Sequence, residues 1–361
     1  MAAAPFSIAS DFDYSIQATN LTSIKTLSKS GLTTIPSSFA SNNLQDLVVV
    51  DPSEAEIPII DFSLLTSSNT EEKCKAIKDF GKALEEWGFF MLINHGIPES
   101  QINSMMEGIK GFFDLSDEEK REFQGKNVFD TIRCGSSFNT AMEKVNCWRD
   151  FLKAFVHPEF HCPHKPPGFR ETTFNYLAKI REVTKELLKG VSESLGLEIN
   201  YINKAVNIDS GLQILVANLY PPCPQPELAV GIHPHSDHGL LTVLFENGIS
   251  GLQILHNGKW VKVNAPHNAL MVNTADQLEI VTNGKYKSNI HRAVLYSNAT
   301  RISVAIANGP SFEDIVSPAP DLVNESQPQA YRAITYREYF RIHQSNALNK
   351  KSALDTIRIQ N

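Results

Sequence analysis

The sequence lacks the features that mark several functional classes. No apolar run approaches the roughly 18–20 residues needed by a spanning helix, which excludes a helical integral membrane protein. Cations do not dominate: 33 Lys and Arg face 40 Asp and Glu, a net charge of −7. Without clustered basic residues a phosphate backbone is not neutralised, so nucleic acid is not an expected partner. Cysteine is sparse. Cys74, Cys134, Cys147, Cys162 and Cys223 form no C-x-x-C pair, which supports neither a zinc ribbon nor a thioredoxin-like site. Reduced thiols in an intracellular compartment are the simpler expectation. The start, Met1-Ala-Ala-Ala-Pro-Phe, has neither the basic nor the apolar segment of a secretory signal, and Asp11 and Asp13 weigh against a transit peptide. The expectation is a cytosolic protein. No H-E-x-x-H supplies the base of a zinc hydrolase either.

What is present describes an ordinary globular chain of 361 residues, 42% hydrophobic and 20% charged, above the size of one small core. Residues 1–50 read as an N-terminal extension with a short helix near Ile24–Ser30. Residues 51–205 read as a helical and mixed region, with helical spacing over 70–87, 100–113 and 170–196 and strands at 57–62 and 89–93. Ser116 and Glu119 form a capping-box signature. From Leu212 the pattern changes to short runs at 212–220, 240–246, 252–255, 260–263, 269–273, 291–296 and 301–307. Turn dipeptides such as Asn257-Gly258 punctuate them. Such spacing predicts a barrel or sandwich over 206–345, with a tail over 346–361.

One segment carries the chemistry: Gly231-Ile-His233-Pro-His235-Ser-Asp237-His238-Gly239. On a strand, His235 and Asp237 share a face, because side chains alternate with period two. A third ligand must come from elsewhere, and His291 is the candidate. Two imidazoles and one carboxylate on one side of a metal form the facial triad of non-haem Fe(II) oxygenases. Ten residues on, Arg301-Ile-Ser303 puts a planar cationic fork and a hydroxyl on one strand face, suited to one end of a dicarboxylate. Asn218 and Tyr220 repeat the alternation upstream. His95, His157, His161, His164, His256, His267 and His343 are read as structural or solvated.

These motifs, with Trp87-Gly-Phe-Phe, Ile93-Asn-His-Gly-Ile-Pro98, Asn218-Leu-Tyr-Pro-Pro-Cys-Pro224 and Asp276-Gln-Leu-Glu279, run through nearly the whole chain. The chain resembles the plant soluble 2-oxoglutarate- and Fe(II)-dependent dioxygenases of specialised metabolism. The resemblance implies a mixed α/β (α+β) fold: a double-stranded β-helix, or jelly-roll, core with an N-terminal helical region packed around it. It implies His235, Asp237 and His291 as iron ligands, and Arg301 and Ser303 as the clamp on the distal carboxylate of 2-oxoglutarate, with Tyr220 assisting and Asn218 near the cosubstrate. Ala307 stands where several members carry a bulky aromatic. Parity adds Val216 and Ala305 to the inward face, and the segment 148–155 offers Phe151 and Phe155 as pocket walls.

The resemblance further implies O₂ as oxidant, ascorbate to keep iron reduced, and release of succinate and CO₂. Through a ferryl species, a C–H bond of a small, largely apolar metabolite would be oxidised, most simply by hydroxylation. Demethylation, desaturation and ring closure begin with the same hydrogen abstraction. A monomer acting on a small molecule is expected. Three alternatives stay open: an ethylene-forming type using ascorbate without 2-oxoglutarate, a catalytically silent ligand-binding relative, and a hydrolytic zinc site that would leave Arg301 and Ser303 unexplained.

Overall fold

In the computed structural model the described residues are 23–41, 49–50, 56–136, 145–345 and 352–360. The expected extension over 1–50 and tail over 346–361 therefore lie partly outside the described residues.

Local signals account for the helical part. Helix α1 (Ile24–Lys29) starts at Ser23, whose side chain accepts from the Thr26 amide. After strands β1 (Val49–Val50) and β2 (Ile59–Asp61) come α2 (Phe62–Leu65) and α3 (Thr70–Glu86). Asn69 caps α3 by accepting from the amides of Glu71 and Glu72, two donors that otherwise lack intrahelical partners. Strand β3 (Phe89–Ile93), α4 (Glu99–Asp114) and α5 (Asp117–Lys120) follow, and α5 carries the complete Ser116–Glu119 capping box. Strands β4 (Ile132–Gly135) and β5 (Asp150–His157) precede the long helix α6 (Phe169–Ser194), whose apolar stripe of Tyr176, Ile180, Leu187 and Val191 is fully buried. Helix α7 (Tyr201–Ala205) leads into the strand-rich half.

That half contains β6 (Gln213–Tyr220), β7 (Ile232–His235), β8 (Leu241–Glu246), β9 (Leu252–His256), β10 (Lys259–Lys262), β11 (Leu270–Thr274), α8 (Asp276–Val281), β12 (His291–Ala293), β13 (Arg301–Asn308), β14 (Ile315–Val316) and β15 (Ile334–Thr335). Helices α9 (Tyr336–Ser345) and α10 (Ser352–Asp355) end the described chain. Six of the seven expected runs match to within a residue at each end. The seventh stops at Ala293, where a register irregularity against β7 breaks the ladder. Asn257 and Gly258 both have positive φ, 49° and 76°, as a two-residue hairpin turn between β9 and β10 requires.

The strands form the two sheets of a jelly-roll. One has the order β2-β3-β11-β8-β13-β6-β5-β4, the other β1-β10-β9-β12-β7. Helices α3, α4 and α6 pack on the larger sheet through a core that includes Phe80, Phe112, Tyr176 and Val304. Among the described residues no helix is long and apolar enough to cross a membrane. Helix α1 is fastened to β5: the Ile24 and Lys25 amides donate to the buried Asp150 carboxylate at 2.8 and 2.9 Å. Behind it, Ile24, Phe39, Trp148 and Tyr220 share one apolar cluster.

Candidate active site

Strand pairing brings the candidate ligands together. β7 and β12 are antiparallel neighbours, with His235 directly opposite His291. Asp237 completes the group: its Oδ1 lies 3.7 Å from His235 Nε2 and 3.7 Å from His291 Nε2, and the three ligand atoms are within 4.8 Å of one another. One sequence inference needs correction. Asp237 does not alternate with His235 along a strand, because β7 ends at His235. It is placed by the loop that follows, where its carbonyl accepts from the Asp276 amide at 2.9 Å, at the start of α8.

The remaining polar atoms of the group are oriented from behind. His235 Nδ1 lies 2.8 Å from the His233 carbonyl and His291 Nδ1 3.3 Å from that of Asn289. A carbonyl only accepts, so both rings carry their proton on Nδ1 and present a lone pair on Nε2. Asn273 Nδ2 donates to Asp237 Oδ2 at 2.9 Å, leaving Oδ1 toward the histidines. Burial, then His291, pushes His235 down to about 3, so it is neutral at physiological pH. Burial works to raise Asp237, but the two histidines and the hydrogen bonds from Thr242 and Asn273 outweigh it and hold the carboxyl below its ordinary range. Two neutral imidazole nitrogens and one carboxylate oxygen are the donor set that suits non-haem Fe(II).

The facing sheet supplies aligned inward rows. Across β5, β6 and β13 the register sets Phe151, Asn218 and Ser303 side by side, then Lys153, Val216 and Ala305, then Phe155, Ile214 and Ala307, with Tyr220 opposite Arg301. Arg301 and Ser303 are each 2% exposed and line the same cavity as the histidines. Arg301 Nε and Nη2 donate to Glu246 Oε2 at 3.0 and 2.8 Å, whereas its buried Nη1 has no hydrogen-bond partner in the protein. A Cβ on Gly251 would come within 2.5 Å of Arg301 Cδ, so this glycine makes room for the guanidinium stem. A larger groove of about 710 Å³ runs outside the barrel past Glu99, Met106, Asn247 and His267. It holds none of the candidate ligands, which line the cavity of about 140 Å³ between the sheets.

Phe151, Val216 and Ala307 line that cavity, but Phe155 is not among the lining residues. It packs on Phe312 and Phe340 in the aromatic cluster beneath Ala307. His95 is structural as expected, with Nε2 2.8 Å from the Asn268 carbonyl. His343 is not a bystander: α9 brings it to the cavity wall beside His238, with Gln344 next to it. Its signal was the helix that carries it, which no strand pattern reveals. Arg149 and Lys153 also line the cavity and were passed over for the aromatics beside them.

Two family descriptions match the chain: "non-haem dioxygenase in morphine synthesis N-terminal" over residues 57–173, and "2OG-Fe(II) oxygenase superfamily" over 211–310. The chain is 44% identical over 304 residues to 2-oxoglutarate-dependent dioxygenase 19 of Oryza sativa subsp. japonica, covering 84% of this chain and 90% of that protein. It is 34% identical to oxoglutarate-dependent flavonoid 7-O-demethylase 1 of Ocimum basilicum, covering 94% and 91%. A solved structure described as JOX2 in complex with 2OG, Fe, and JA superposes with a TM-score of 0.84 at 26% identity, covering 94% of this chain and 98% of that one. The chain therefore belongs to the plant 2-oxoglutarate- and Fe(II)-dependent dioxygenases of the 2OG-Fe(II) oxygenase superfamily.

Proposed function

We propose that His235, Asp237 and His291 hold Fe(II), that Arg301 and Ser303 hold the distal carboxylate of 2-oxoglutarate, and that the cavity between them oxidises a C–H bond of a small plant metabolite. The observation that carries this reading is the cross-strand group of His235, His291 and Asp237 facing an Arg301 that keeps one donor nitrogen free. Bound Fe(II) would supply, with O₂ and 2-oxoglutarate, the oxidative decarboxylation to succinate and CO₂ that powers oxidation of the substrate. The protein's own part is positional. Asn273 and the His233 and Asn289 carbonyls aim the ligand atoms, and Glu246 fixes the guanidinium of Arg301. Tyr220, whose ring lies 5.0 Å from the Arg301 guanidinium carbon, and Asn218 wall the cosubstrate's end. Phe151, Val216, Ala305 and Ala307 orient the substrate's apolar body and exclude water. No side-chain acid or base is assigned to the hydrogen abstraction.

In the same reading the protein is a cytosolic monomer that uses ascorbate to keep the iron reduced and has no nucleic-acid partner. Succinate release, measured with purified protein across flavonoid, coumarin, alkaloid, terpenoid and hormone substrates, tests the assignment. Release that requires 2-oxoglutarate and rises with one class supports it, and no release with any class removes it.

Ala307 tests the substrate side. It lies opposite Ile214 and Thr242 in the ladders and packs against Phe340 and Tyr336. Forcing Phe into a packed wall costs about 1–3 kcal/mol. Ala307→Phe is therefore expected to raise substrate KM or change the product, while 2-oxoglutarate decarboxylation continues uncoupled. Succinate and product are assayed together, and unchanged turnover with unchanged products would show that Ala307 does not line the working site.

A further inference from the structure

Buried cations gather at one side of this cavity, and the reading just given does not use them. Lys153 and Arg149 line it and are each 3% exposed. Lys153 Nζ sits 5.1 Å from the Phe155 ring and 4.8 Å from that of Phe340, and donates to the Val128 carbonyl at a long 3.4 Å. Arg149 donates from Nη1 to Asn218 Oδ1, and its buried Nε has no hydrogen-bond partner in the protein. Directly across the β4–β5 ladder from Lys153 stands Arg133, itself 2% exposed. Like charges placed opposite in adjacent strands are destabilising, and burial enlarges the cost. Burial, and then Arg133, pulls the Lys153 ammonium well below its ordinary range. A fold that keeps such an arrangement beside its active site is holding positive charge in place for something that enters.

The charges indicate how much. A divalent metal, Asp237 and a doubly negative cosubstrate leave one excess negative charge. Arg301 does not cancel it, because Glu246 already neutralises Arg301. This revises the sequence argument that gave Arg301 that task. Arg149 and Lys153 together exceed the deficit by one positive charge. Arg292 does not alter the account within the cavity: by strand parity it points to the other face, where it stacks on Trp260 at 4.1 Å and bonds Gln253. The Lys153 row is also the row of Val216 and Ala305, two residues along β13 from Ser303. The cation thus lies on the substrate's side of the cosubstrate clamp.

We infer that the substrate is a small organic monocarboxylate with a largely apolar body, its carboxylate received by Lys153 with Arg149 beside it. This rests on the oxygenase reading of the cavity and narrows it.

The test uses the full chain loaded with Fe(II) and 2-oxoglutarate without oxygen, so that binding is read apart from turnover. Matched acids and primary amides (benzoate, phenylacetate, 3-phenylpropionate and cinnamate against their amides) are titrated by calorimetry. At least one acid is expected to bind tenfold or more tightly than its amide, and Lys153→Met should erase that preference. Lys153→Met should also raise the melting temperature of the ligand-free protein, since it removes a buried charge facing Arg133. A role in the fold alone would lower it. If no acid outbinds its amide, or the preference survives in both Lys153→Met and Arg149→Met, the inference is wrong. A loss of 2-oxoglutarate affinity beyond threefold in Lys153→Met would assign the lysine to the cosubstrate and overturn it as well. Failure of 2-oxoglutarate itself to bind the wild-type protein would instead strike the oxygenase reading beneath it.

Discussion

Replacing His235, Asp237 or His291 by Ala is expected to reduce 2-oxoglutarate-dependent succinate formation to background, with loss of bound iron and retention of the fold. Each variant removes one of three protein ligands, and the described residues offer no other group of three or more His, Cys, Asp or Glu able to hold a metal. Retention of the fold follows from the electrostatics. Without metal, burial and His291 work against charging His235, and burial works against the Asp237 carboxylate. Truncating any one of them relieves part of that strain, so metal-free variants should melt no lower than metal-free wild type. Iron content, circular dichroism and succinate measured on the same samples check all three statements. Wild-type turnover in one variant would remove that residue from the metal site.

Arg301→Gln should raise the KM for 2-oxoglutarate by roughly thirtyfold or more. Truncating one partner of a buried, hydrogen-bonded charge pair costs about 2–5 kcal/mol. Here a second effect must be separated. Arg301 is also the partner of Glu246, which is held at 2.8 Å and is nearly as buried. The single variant strands that carboxylate, whose proton affinity burial already raises, so some thermal stability should be lost too. The double variant Glu246→Gln, Arg301→Gln removes both charges and should recover stability without recovering 2-oxoglutarate affinity. Kinetics against 2-oxoglutarate and melting curves on both variants separate the two effects. Unchanged 2-oxoglutarate kinetics in the single variant would end the clamp assignment.

Much of this site was legible because period-two alternation on β6 and β13 needs no tertiary information. Asn218 with Tyr220, and Arg301 through Ala307, came from that rule alone, and the ladders place them on one cavity wall. The same rule failed at Asp237, because a strand's end depends on pairing, and β7 loses its partner after His235. It was applied too selectively in the segment 148–155. The parity that turns Phe151 and Phe155 inward turns Lys153 inward as well, but aromatic residues were weighed first. His343 and Gln344 belong to a different kind of miss. They reach the cavity from α9, a helix distant in sequence, and a contact between remote segments leaves no local pattern to read. Glu246 was within the expected 240–246 run, yet only the ladder shows it level with Ser303 and bonded to Arg301.

The order of the larger sheet has a thermodynamic consequence. Strands β3 and β5, contributed before residue 206, are hydrogen-bonded inside it to β11 and β6, which carry Asn273 and Asn218. No seam therefore lets the helical layer melt while the barrel stays folded, and the molecule is built to unfold as one cooperative unit. Any ligand that binds only the native barrel then stabilises the helices too, by the same mass-action term and without touching them. Occupancy at the cavity is linked to the lifetime of the whole chain.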